Sequence, residues 1–414
     1  MKKFNLYDIH VQGVDVYARP IYQRSIGVDL NGKIWFGETR DPGAGGVYRF
    51  DIVSSINGGK TWELEANPKV YTPVVYGSCI AVGKEGVYTI RAEYEDPNWW
   101  TGTRHTYFRK LPGGSDEELT PQNGYSGRHF VMAVDDNEIV HLVAIRTIDS
   151  QRYQQVVYRN RTVDGTWSDE TIIADNVDGG TTIILGEACF PAMCIDINGN
   201  IHVLYQEWDS VNENTNLKHV WRKGQTWQAV TDLGILKVYY TPSYTESFPV
   251  TADLNGDVHV AYEPGENDNI YYRKWNHGTE SWEVAEVVDT LPYGGYYPNI
   301  AVDTANRIII LYCAWEDGYM AYTMAIKVND TWIKSKIDRQ LSDSDDYLQG
   351  WIIPSSLYPH RGNYRPSLQP ANKLWGVAYR WNVSIQSWFN YAPAYLGNPN
   401  IDQLIYQHAE RMTR

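Results

Sequence analysis

The chain of 414 residues carries a formal net charge of -14 and has 43% hydrophobic residues. Such an acidic chain lacks the basic footprint that nucleic-acid phosphates require, so we predict no nucleic-acid partner. No apolar run is long enough for a membrane helix, which argues against membrane insertion. The first residues, Met1–Asp8, contain no apolar core of a secretory signal. We therefore expect a cytoplasmic protein or one that reaches a virion or the extracellular space by another route.

From residue 24 onward, a short alternating strand, a tight turn and a second strand recur along the chain. The clearest copies are Pro191–Asp196 before Asn198-Gly199 and Pro249–Asp253 before Asn255-Gly256. Asn-Gly between alternating apolar runs is the strongest short-range hairpin signal. Seven such first strands can be located, and the predicted repeats start near residues 24, 77, 129, 190, 248, 297 and 365.

A tryptophan, preceded directly by Thr or Ser, closes most of these repeats. The five copies are Trp62, Trp167, Trp227, Trp282 and Trp332, and the second repeat lacks one. A period of about fifty residues, built from short strands and tight turns, is typical of a β-propeller with one four-stranded blade per repeat. The sequence thus predicts an all-β fold, a seven-bladed β-propeller that forms a single domain over residues 1–414.

The last repeat differs from the others. Its second strand, Leu374–Tyr379, precedes a long irregular segment, and Leu404–Ala409 has the pattern of a third strand. No fourth strand follows before the chain ends. We predict that the N-terminal stretch, residues 1–20 with the alternating segment Asn5–Val11, joins the last blade and closes the ring. Closure of this kind removes exposed sheet edges.

The first repeat resembles a sialidase blade. Gly32–Asp41 is followed by a glycine-rich loop and by Ser55–Trp62, which is similar to an Asp-box with Asn57 in the position of the usual Asp. The later Asp-x-Asn-Gly units resemble the bacterial-neuraminidase-type repeats of lectins, polysaccharide lyases and some glycosidases. The resemblance implies that the Asp-box turns lie away from the catalytic face. It also implies three arginines, a Tyr-Glu nucleophile pair and an Asp acid, and the full set is not matched.

One face of a propeller contains the loops that enter first strands and leave second strands. Tyrosine and tryptophan number 32 and 16 against 8 phenylalanines, which favours wet binding surfaces over purely apolar packing. Aromatic rings and charged groups on one face are typical of a carbohydrate site, and ordinary loop polarity is the alternative. The predicted substrate-binding residues are Arg24, Arg40, Trp208, Trp315, Arg365, Arg380, Trp381, Trp388 and Tyr391.

Two sets of candidate catalytic residues lie on the same predicted face. His129, beside Arg128 and with Tyr297 as the facing hydroxyl, has the groups that a polysaccharide lyase needs to neutralise a uronate and move its α-proton. Glu246, with Glu187, Glu207 and Glu263, offers the paired carboxylates of a glycoside hydrolase. His141, His202 and His259 occupy one repeated position, which favours packing over catalysis.

No metal site is predicted. Asp29, Asp196 and Asp253 begin Asp-x-Asn-Gly sequences that lack the later acidic ligand of a calcium loop, so we interpret them as hairpin turns. The run Asp343–Asp346 is the one alternative for Ca²⁺, against a solvated loop. Four cysteines are too few for a disulfide framework, and we expect buried thiols.

The sequence favours a propeller that binds a polysaccharide or a cell-surface glycan, including as a receptor-binding protein attached to a virion or another large assembly. The first alternative is an enzyme on the same face, a polysaccharide lyase or a sialidase-like glycoside hydrolase that acts on an acidic glycan. The second alternative is a protein-interaction platform that uses the same loops. We predict no cofactor, apart from the calcium alternative.

Overall fold

The computed structural model describes residues 3–4, 26–29, 33–40, 49–56, 62–66, 74–94, 104–119, 130–149, 153–178, 191–209, 211–212, 214–237, 249–263, 269–290, 295–302, 306–316, 319–328, 330–339, 346–353, 373–382, 387–390 and 394–397. All regular elements in these residues are β-strands. The strands form seven antiparallel sheets, numbered here in chain order. The described part of the chain is therefore all-β, which confirms this part of the prediction.

The first three sheets contain thirteen strands. Sheet 1 has β1 (Lys3–Phe4), β2 (Ile26–Val28), β3 (Ile34–Arg40), β4 (Arg49–Ser55) and β5 (Trp62–Ala66). Sheet 2 has β6 (Val74–Val82), β7 (Val87–Tyr94), β8 (Arg104–Leu111) and β9 (Glu117–Glu118). Sheet 3 has β10 (Phe130–Val134), β11 (Val140–Asp149), β12 (Tyr153–Arg161) and β13 (Thr171–Asp178).

The remaining four sheets continue the same pattern. Sheet 4 has β14 (Ala192–Ile195), β15 (Ile201–Asp209), β16 (Asn214–Lys223), β17 (Thr226–Trp227) and β18 (Thr231–Lys237). Sheet 5 has β19 (Val250–Ala252), β20 (Val258–Tyr262), β21 (Ile270–Asn276), β22 (Ser281–Trp282) and β23 (Glu286–Asp289). Sheet 6 has β24 (Gly295–Val302), β25 (Ile308–Glu316), β26 (Tyr319–Val328) and β27 (Thr331–Arg339). Sheet 7 has β28 (Asp346–Ile353), β29 (Lys373–Asn382), β30 (Ser387–Asn390) and β31 (Ala394–Gly397).

Apart from β1, which pairs with β5, the strands of each sheet follow one another in a simple meander. In sheets 4, 5 and 7 two short strands share the outermost position, because β17 and β18 both pair with β16, β22 and β23 with β21, and β30 and β31 with β29. The first strands contact each other in chain order, from β2 through β6, β10, β14, β19 and β24 to β28, and β28 also contacts β2. Neighbouring sheets are therefore packed against each other along their first strands.

The hydrophobic core lies between neighbouring sheets because successive side chains of a strand point to opposite faces. In sheet 2, Tyr88, Ile90 and Ala92 pack against Phe130 and Leu142 of sheet 3. Ile80, Val82 and Val87 lie on the opposite face, in a cluster with residues of sheet 1. Cys79 and Cys194 are buried free thiols, as expected for these two positions.

The Asp-x-Asn-Gly sequences form the predicted hairpins and use their carboxylates within the turn. Asp196 Oδ1 accepts the backbone N–H groups of Asn198 and Asn200 at 2.9 and 2.8 Å. Asp253 Oδ1 accepts those of Asn255 and Asp257, each at 2.8 Å. These carboxylates therefore stabilise the turn by satisfying backbone donors.

The repeated histidines are buried structural groups. His259 Nδ1 lies 2.7 Å from the Tyr272 hydroxyl, and its Nε2 lies 3.4 Å from Asp253 Oδ2. His141 makes the same pair of contacts to Tyr158 and Asp135, at 2.8 and 3.5 Å. Burial alone would raise the pKa of Asp253, but hydrogen bonds from His259 and backbone amides hold it below its ordinary value. The prediction that this histidine position serves packing agrees with these contacts.

The recurring tryptophans join neighbouring sheets. Each of four described copies lies edge-on against a ring of the preceding sheet, with ring centroids 5.1 to 5.2 Å apart. The pairs are Trp167 with Phe108, Trp227 with Tyr158, Trp282 with His219, and Trp332 with Tyr272. Edge-to-face contacts between aromatic rings add to the stabilisation from buried area.

Sheets 1 and 7 differ from the expected strand order. Lys3 and Phe4 pair with Glu63 and Trp62 at the outer edge of sheet 1, and not with sheet 7. The rest of the predicted closing segment lies outside the described residues. In sheet 7 the first strand is β28, well before residue 365, and the segment 387–397 returns along β29 as two strands. Asp346–Ile353 has no Asn-Gly turn after it, so the hairpin signal that marks the other first strands is missing there.

Candidate functional site

The second strands place most of the predicted glycan-binding residues at one end of their sheets. Each of these strands begins at the end of the sheet where its first strand finishes and runs to the opposite end, which we call the loop end. Arg40 is the last residue of β3, Trp208 and Trp315 are next to last in β15 and β25, and Arg380 and Trp381 precede the last residue of β29. The backbone thus gives these five residues equivalent positions in four sheets.

Two further predicted residues lie at the loop end. Trp388 stands directly opposite Trp381 in the β29–β30 pair. Tyr297 lies in the first half of β24, where the pairing with β25 places it near the loop end of sheet 6. The other predicted site residues fall outside the described part of the chain: Arg24, Arg128, His129, Glu246, Arg365 and Tyr391.

Trp208 is more deeply buried than expected for a residue that stacks on a sugar. Its side chain is 9% exposed, and its register partner on β16 is Thr215, which is also buried. A sugar that stacks on a tryptophan needs an accessible ring face. Trp208 therefore presents only a small part of its ring at the loop end of sheet 4.

Sheet 2 carries a buried charged cluster near its loop end. Arg91 donates from Nε to Glu93 Oε1 at 2.7 Å and makes two parallel bonds of 3.0 Å to the Asp116 carboxylate. The side chains of Arg91 and Glu93 are 1% and 0% exposed. Burial opposes the charge of Arg91, yet the bonds and charges of Asp116 and Glu93 raise its pKa above the ordinary value. The paired arrangement explains how these charges persist out of water.

A histidine and a tyrosine extend this cluster. His105 Nδ1 lies 2.6 Å from Glu118 Oε1, and the His105 and Tyr107 rings are stacked with centroids 6.2 Å apart. The Arg91 guanidinium lies over the Tyr107 ring at 4.9 Å. Since His105 pairs with Glu93 and Tyr107 with Arg91 across β7 and β8, the four side chains share one face of sheet 2. That face brings together an imidazole, a phenol, a guanidinium and carboxylates.

The carboxylates proposed for glycoside hydrolysis are engaged elsewhere where the structure describes them. Glu207 Oε2 lies 3.1 Å from Lys218 Nζ, which also contacts Asp232 Oδ2 at 2.7 Å. Burial would lower the pKa of Lys218, but both carboxylates together raise it. Glu207 is therefore a structural ion-pair partner in sheet 4. Glu187 and Glu246 lie outside the described residues.

Sequence reasoning missed Arg91 and His105, and a comparison of repeat positions would have found them. In sheet 2, Trp167 contacts Phe108, which pairs with Ile90 on β7, and Arg91 comes directly after Ile90. The equivalent position is occupied by Tyr205 in sheet 4 and by Tyr262 in sheet 5. His105 stands three residues before Phe108, and the equivalent positions in sheets 3, 4 and 5 hold Gln155, Asn216 and Asn269. The amide position is changed in sheet 2 alone among these four sheets, whereas the tyrosine position holds Arg91 in sheet 2 and Ala144 in sheet 3.

The described residues contain no group of three or more His, Cys, Asp or Glu side chains arranged to hold a metal ion. The run at residues 343–345 lies outside the described part of the chain. No helix of the described residues is long and apolar enough to cross a membrane.

Sequence comparisons identify no relative. No protein-family model matches the chain, and no curated protein matches it. Solved structures do match. An ulvan lyase of the polysaccharide lyase class PL25, bound to -[GlcA(1-4)Rha3S]-, has a TM-score of 0.55 at 12% identity, with 95% of this chain and 98% of that chain covered.

Two other solved structures are similar over large parts of the chain. A puromycin hydrolase mutant has a TM-score of 0.52 at 11% identity, covering 96% of this chain and 56% of that chain. A sialidase mutant from Streptococcus pneumoniae has a TM-score of 0.45 at 11% identity, covering 70% of this chain and 65% of that chain. The seven meandering sheets and the end-to-end match to the ulvan lyase identify a fold of the β-propeller type.

Proposed function

We propose that this protein binds an acidic polysaccharide at the loop ends of its sheets. The observation that carries the proposal is the equivalent placement of Arg40, Trp315, Arg380 and Trp381 at second-strand ends. Aromatic rings stack on sugars, and guanidinium groups pair with carboxylate or sulfate groups. These two chemistries together suit an anionic glycan better than a neutral one.

We also propose that the seven sheets close into a ring, which brings their loop ends together on one face. The contacts between consecutive first strands support this, and so does the contact between β28 and β2, the first strands of the last and first sheets. Ring closure turns residues that are far apart in sequence into one binding surface. The fold of the similar ulvan lyase fits this arrangement.

The binding proposal is tested by affinity electrophoresis against a panel of uronic-acid, sulfated and neutral polysaccharides. We expect retardation by at least one acidic polysaccharide and a more than tenfold weaker affinity for Trp381→Ala, in line with the loss of a central aromatic contact. Trp227→Phe is the matched control, because Trp227 lies at the hairpin end against Tyr158. Equal affinity of Trp381→Ala and wild type would contradict the proposed face.

A polysaccharide lyase is the second candidate function. It is favoured by the similarity to the ulvan lyase, which extends over nearly the full length of both chains. The predicted pair Arg128 and His129, with Tyr297, supplies the residue types that neutralise a uronate and remove its α-proton.

The lyase candidate is tested by incubating the acidic polysaccharides with the protein and recording ultraviolet absorbance of unsaturated uronate. New reducing ends without that absorbance would instead favour a glycoside hydrolase. Binding without any product would favour a lectin-like protein that binds the polysaccharide without cleaving it. A panel with neither binding nor products would favour the protein-interaction platform. Attachment to a virion or another assembly stays a prediction from the sequence.

A further inference from the structure

Sheet 2 differs from sheets 3 to 5 at three positions. Tyr88 replaces the histidine found as His141, His202 and His259. Arg91 stands where sheets 4 and 5 have a buried tyrosine and sheet 3 has Ala144, and His105 replaces the amide side chain of sheets 3 to 5. Positions repeated around a propeller serve packing, so a sheet that changes several of them at once is a candidate for a specialised role.

The changes at Arg91 and His105 lie on one face of sheet 2. His105 faces Glu93 across the β7–β8 pair, and Tyr107 faces Arg91. Glu118 stands opposite Tyr107 on β9, within reach of His105. Arg109 also contacts Asp116, with NH1 3.7 Å from Oδ1. Among the described residues, the charged and titratable groups around His105 on this face are Arg91, Glu93, Tyr107, Arg109, Asp116 and Glu118.

The contact with Glu118 selects the tautomer of His105. An ionised carboxylate only accepts hydrogen bonds, so Nδ1 of His105 carries the proton at 2.6 Å from Glu118 Oε1. In the neutral ring, Nε2 then holds the lone pair. A carboxylate on one ring nitrogen is the usual way to orient a histidine that exchanges a proton at the other.

Exposure separates His105 from the structural histidines. The side chain of His105 is 18% exposed and that of Glu118 is 36% exposed, whereas His202 and His259 are 0% and 2% exposed. Arg91 below them donates three hydrogen bonds, one to Glu93 and two to Asp116. His105 is therefore accessible to solvent and lies against a rigidly held cluster of charged side chains.

We propose that His105, oriented by Glu118, is the base that removes the α-proton in the lyase reaction. This inference rests on the second candidate function. The lone pair on Nε2 takes the proton from C5 of the uronate, and the C–H electron pair forms the C4=C5 double bond. The bond from C4 to the glycosidic oxygen breaks, and that oxygen takes a proton from water. His129, predicted from the sequence for the same step, is the competing assignment.

The test compares initial rates of unsaturated uronate formation for the wild type, His105→Gln, His129→Gln and Glu118→Gln. His105→Gln is expected to lower kcat by a factor of about 100 or more with little change in KM, the usual effect of removing a general base. Glu118→Gln is expected to lower kcat by about 10-fold and to displace the acidic limb of the pH profile. Added imidazole is expected to restore part of the activity of His105→Ala.

His277→Gln is the matched control, because His277 contacts Asn198 at 3.3 Å among the hairpins. It is expected to turn over like the wild type. Unchanged polysaccharide affinity shows that each variant is folded. If the wild type cleaves and His105→Gln cleaves equally well, the assignment of His105 is wrong while the lyase function stands. If the wild type binds but cleaves nothing in the panel, the lyase candidate and the role of His105 both fall.

Discussion

Glu138 links two hairpins at a position where other repeats have glycine. Its φ is 61°, and Gly199 and Gly256 occupy the same place in the turns of sheets 4 and 5. The Glu138 carboxylate accepts the backbone N–H groups of Lys84 and Glu85 and the Tyr88 hydroxyl, all in sheet 2. A side chain on Gly83 would collide with it, since a Cβ there would lie 2.5 Å from Glu138 Oε2. The strained backbone is thus offset by three hydrogen bonds across the interface.

Glu138→Gly is predicted to destabilise the protein although it relieves the positive φ. Loss of the carboxylate leaves the buried Tyr88 hydroxyl unpaired, which costs about 1 to 3 kcal/mol, and removes the bonds to the backbone amides of two exposed residues. Urea unfolding measures the change in free energy. Glu280→Gly is the matched control, because Glu280 also has a positive φ, of 50°, but makes only an exposed contact with Lys223. A Glu138→Gly protein as stable as Glu280→Gly would contradict this account.

His202 and His219 form a buried chain that is held neutral. Trp282 Nε1 donates to His219 Nδ1 at 3.0 Å, so His219 carries its proton on Nε2, 3.1 Å from His202 Nδ1. Indole N–H only donates, and this fixes the direction of both bonds. Burial lowers the pKa of His202, and burial together with His202 lowers the pKa of His219 well below its ordinary value. Protonation of either ring therefore opposes folding.

The free energy of unfolding is predicted to decrease as the pH is lowered below about 6.5, because the unfolded state binds protons at both histidines there and the folded state does not. Each histidine contributes up to about 1.4 kcal/mol per pH unit in that range. His219→Tyr introduces the residue found as Tyr158 and Tyr272 in the neighbouring sheets. It is expected to reduce the number of protons taken up on unfolding by one and so to make the dependence of stability on pH less steep. Urea unfolding at a series of pH values between about 7 and about 5.5 measures it. An unchanged slope would show that His219 is protonated in the folded state.

At the scale of elements, aromatic contacts couple each sheet to the next. Trp332 meets Tyr272 edge-on, Lys327 Nζ lies 4.9 Å from the Tyr272 ring centroid, and Trp332 Nε1 donates to Glu286 at 3.2 Å. Burial and nearby carboxylates raise the pKa of Tyr272, so its ring stays neutral. The contact thus joins β27 of sheet 6 to β21 of sheet 5.

A double-mutant cycle with Trp332→Leu and Tyr272→Leu is predicted to give a coupling energy of about 0.5 to 1.5 kcal/mol. The free energies of unfolding of the two single variants and the double variant provide it. Val284, which lies between β22 and β23 and is 86% exposed, supplies the control. Val284→Ala and Trp332→Leu should be additive. Additivity of the Trp332 and Tyr272 changes as well would mean that the ring contact has no specific energy.

Sheets 3 to 5 could be predicted best, because their strands alternate and turn acids or Asn-Gly pairs mark their hairpins. Sheet 7 could be predicted least well. Its first strand, β28, has no turn signal after it, and the irregular pattern after Tyr379 predicts a loop, although Trp388 and Phe389 lie in a strand paired with β29. Propensity does not distinguish a strand from an aromatic loop when no turn residue marks the boundary. Pairing with β29, a tertiary effect, decides the structure there.

The candidate site was predictable only in part for a related reason. Rows of aromatic and charged residues at second-strand ends follow from repeat logic, so Arg40, Trp315 and Trp381 could be placed at the loop end from the sequence. A comparison of repeat positions singles out Arg91 and His105 but does not assign their role, because that role depends on which residues stand opposite on β8 and β9. Cross-strand register is set by the whole sheet and is not visible in a single repeat.

At the scale of the molecule, we propose that the seven loop ends form one glycan-binding face. Buried side chains between neighbouring sheets hold the framework, while the predicted sugar-binding residues lie at the ends of the second strands. A propeller of this kind keeps a stable framework and can change its binding face without disturbing the core. The hairpin ends, with their Asp turns and inter-sheet tryptophans, serve stability.

Hydrogen exchange measured by mass spectrometry, with and without the acidic polysaccharide that binds best, tests this claim most directly. Bound glycan is predicted to slow exchange in peptides at the ends of β3, β15, β25 and β29. Peptides from the hairpin ends, around Asp196 and Asp253, should exchange at the same rate in both samples. Protection confined to those hairpin peptides, with no change at the second-strand ends, would contradict the account.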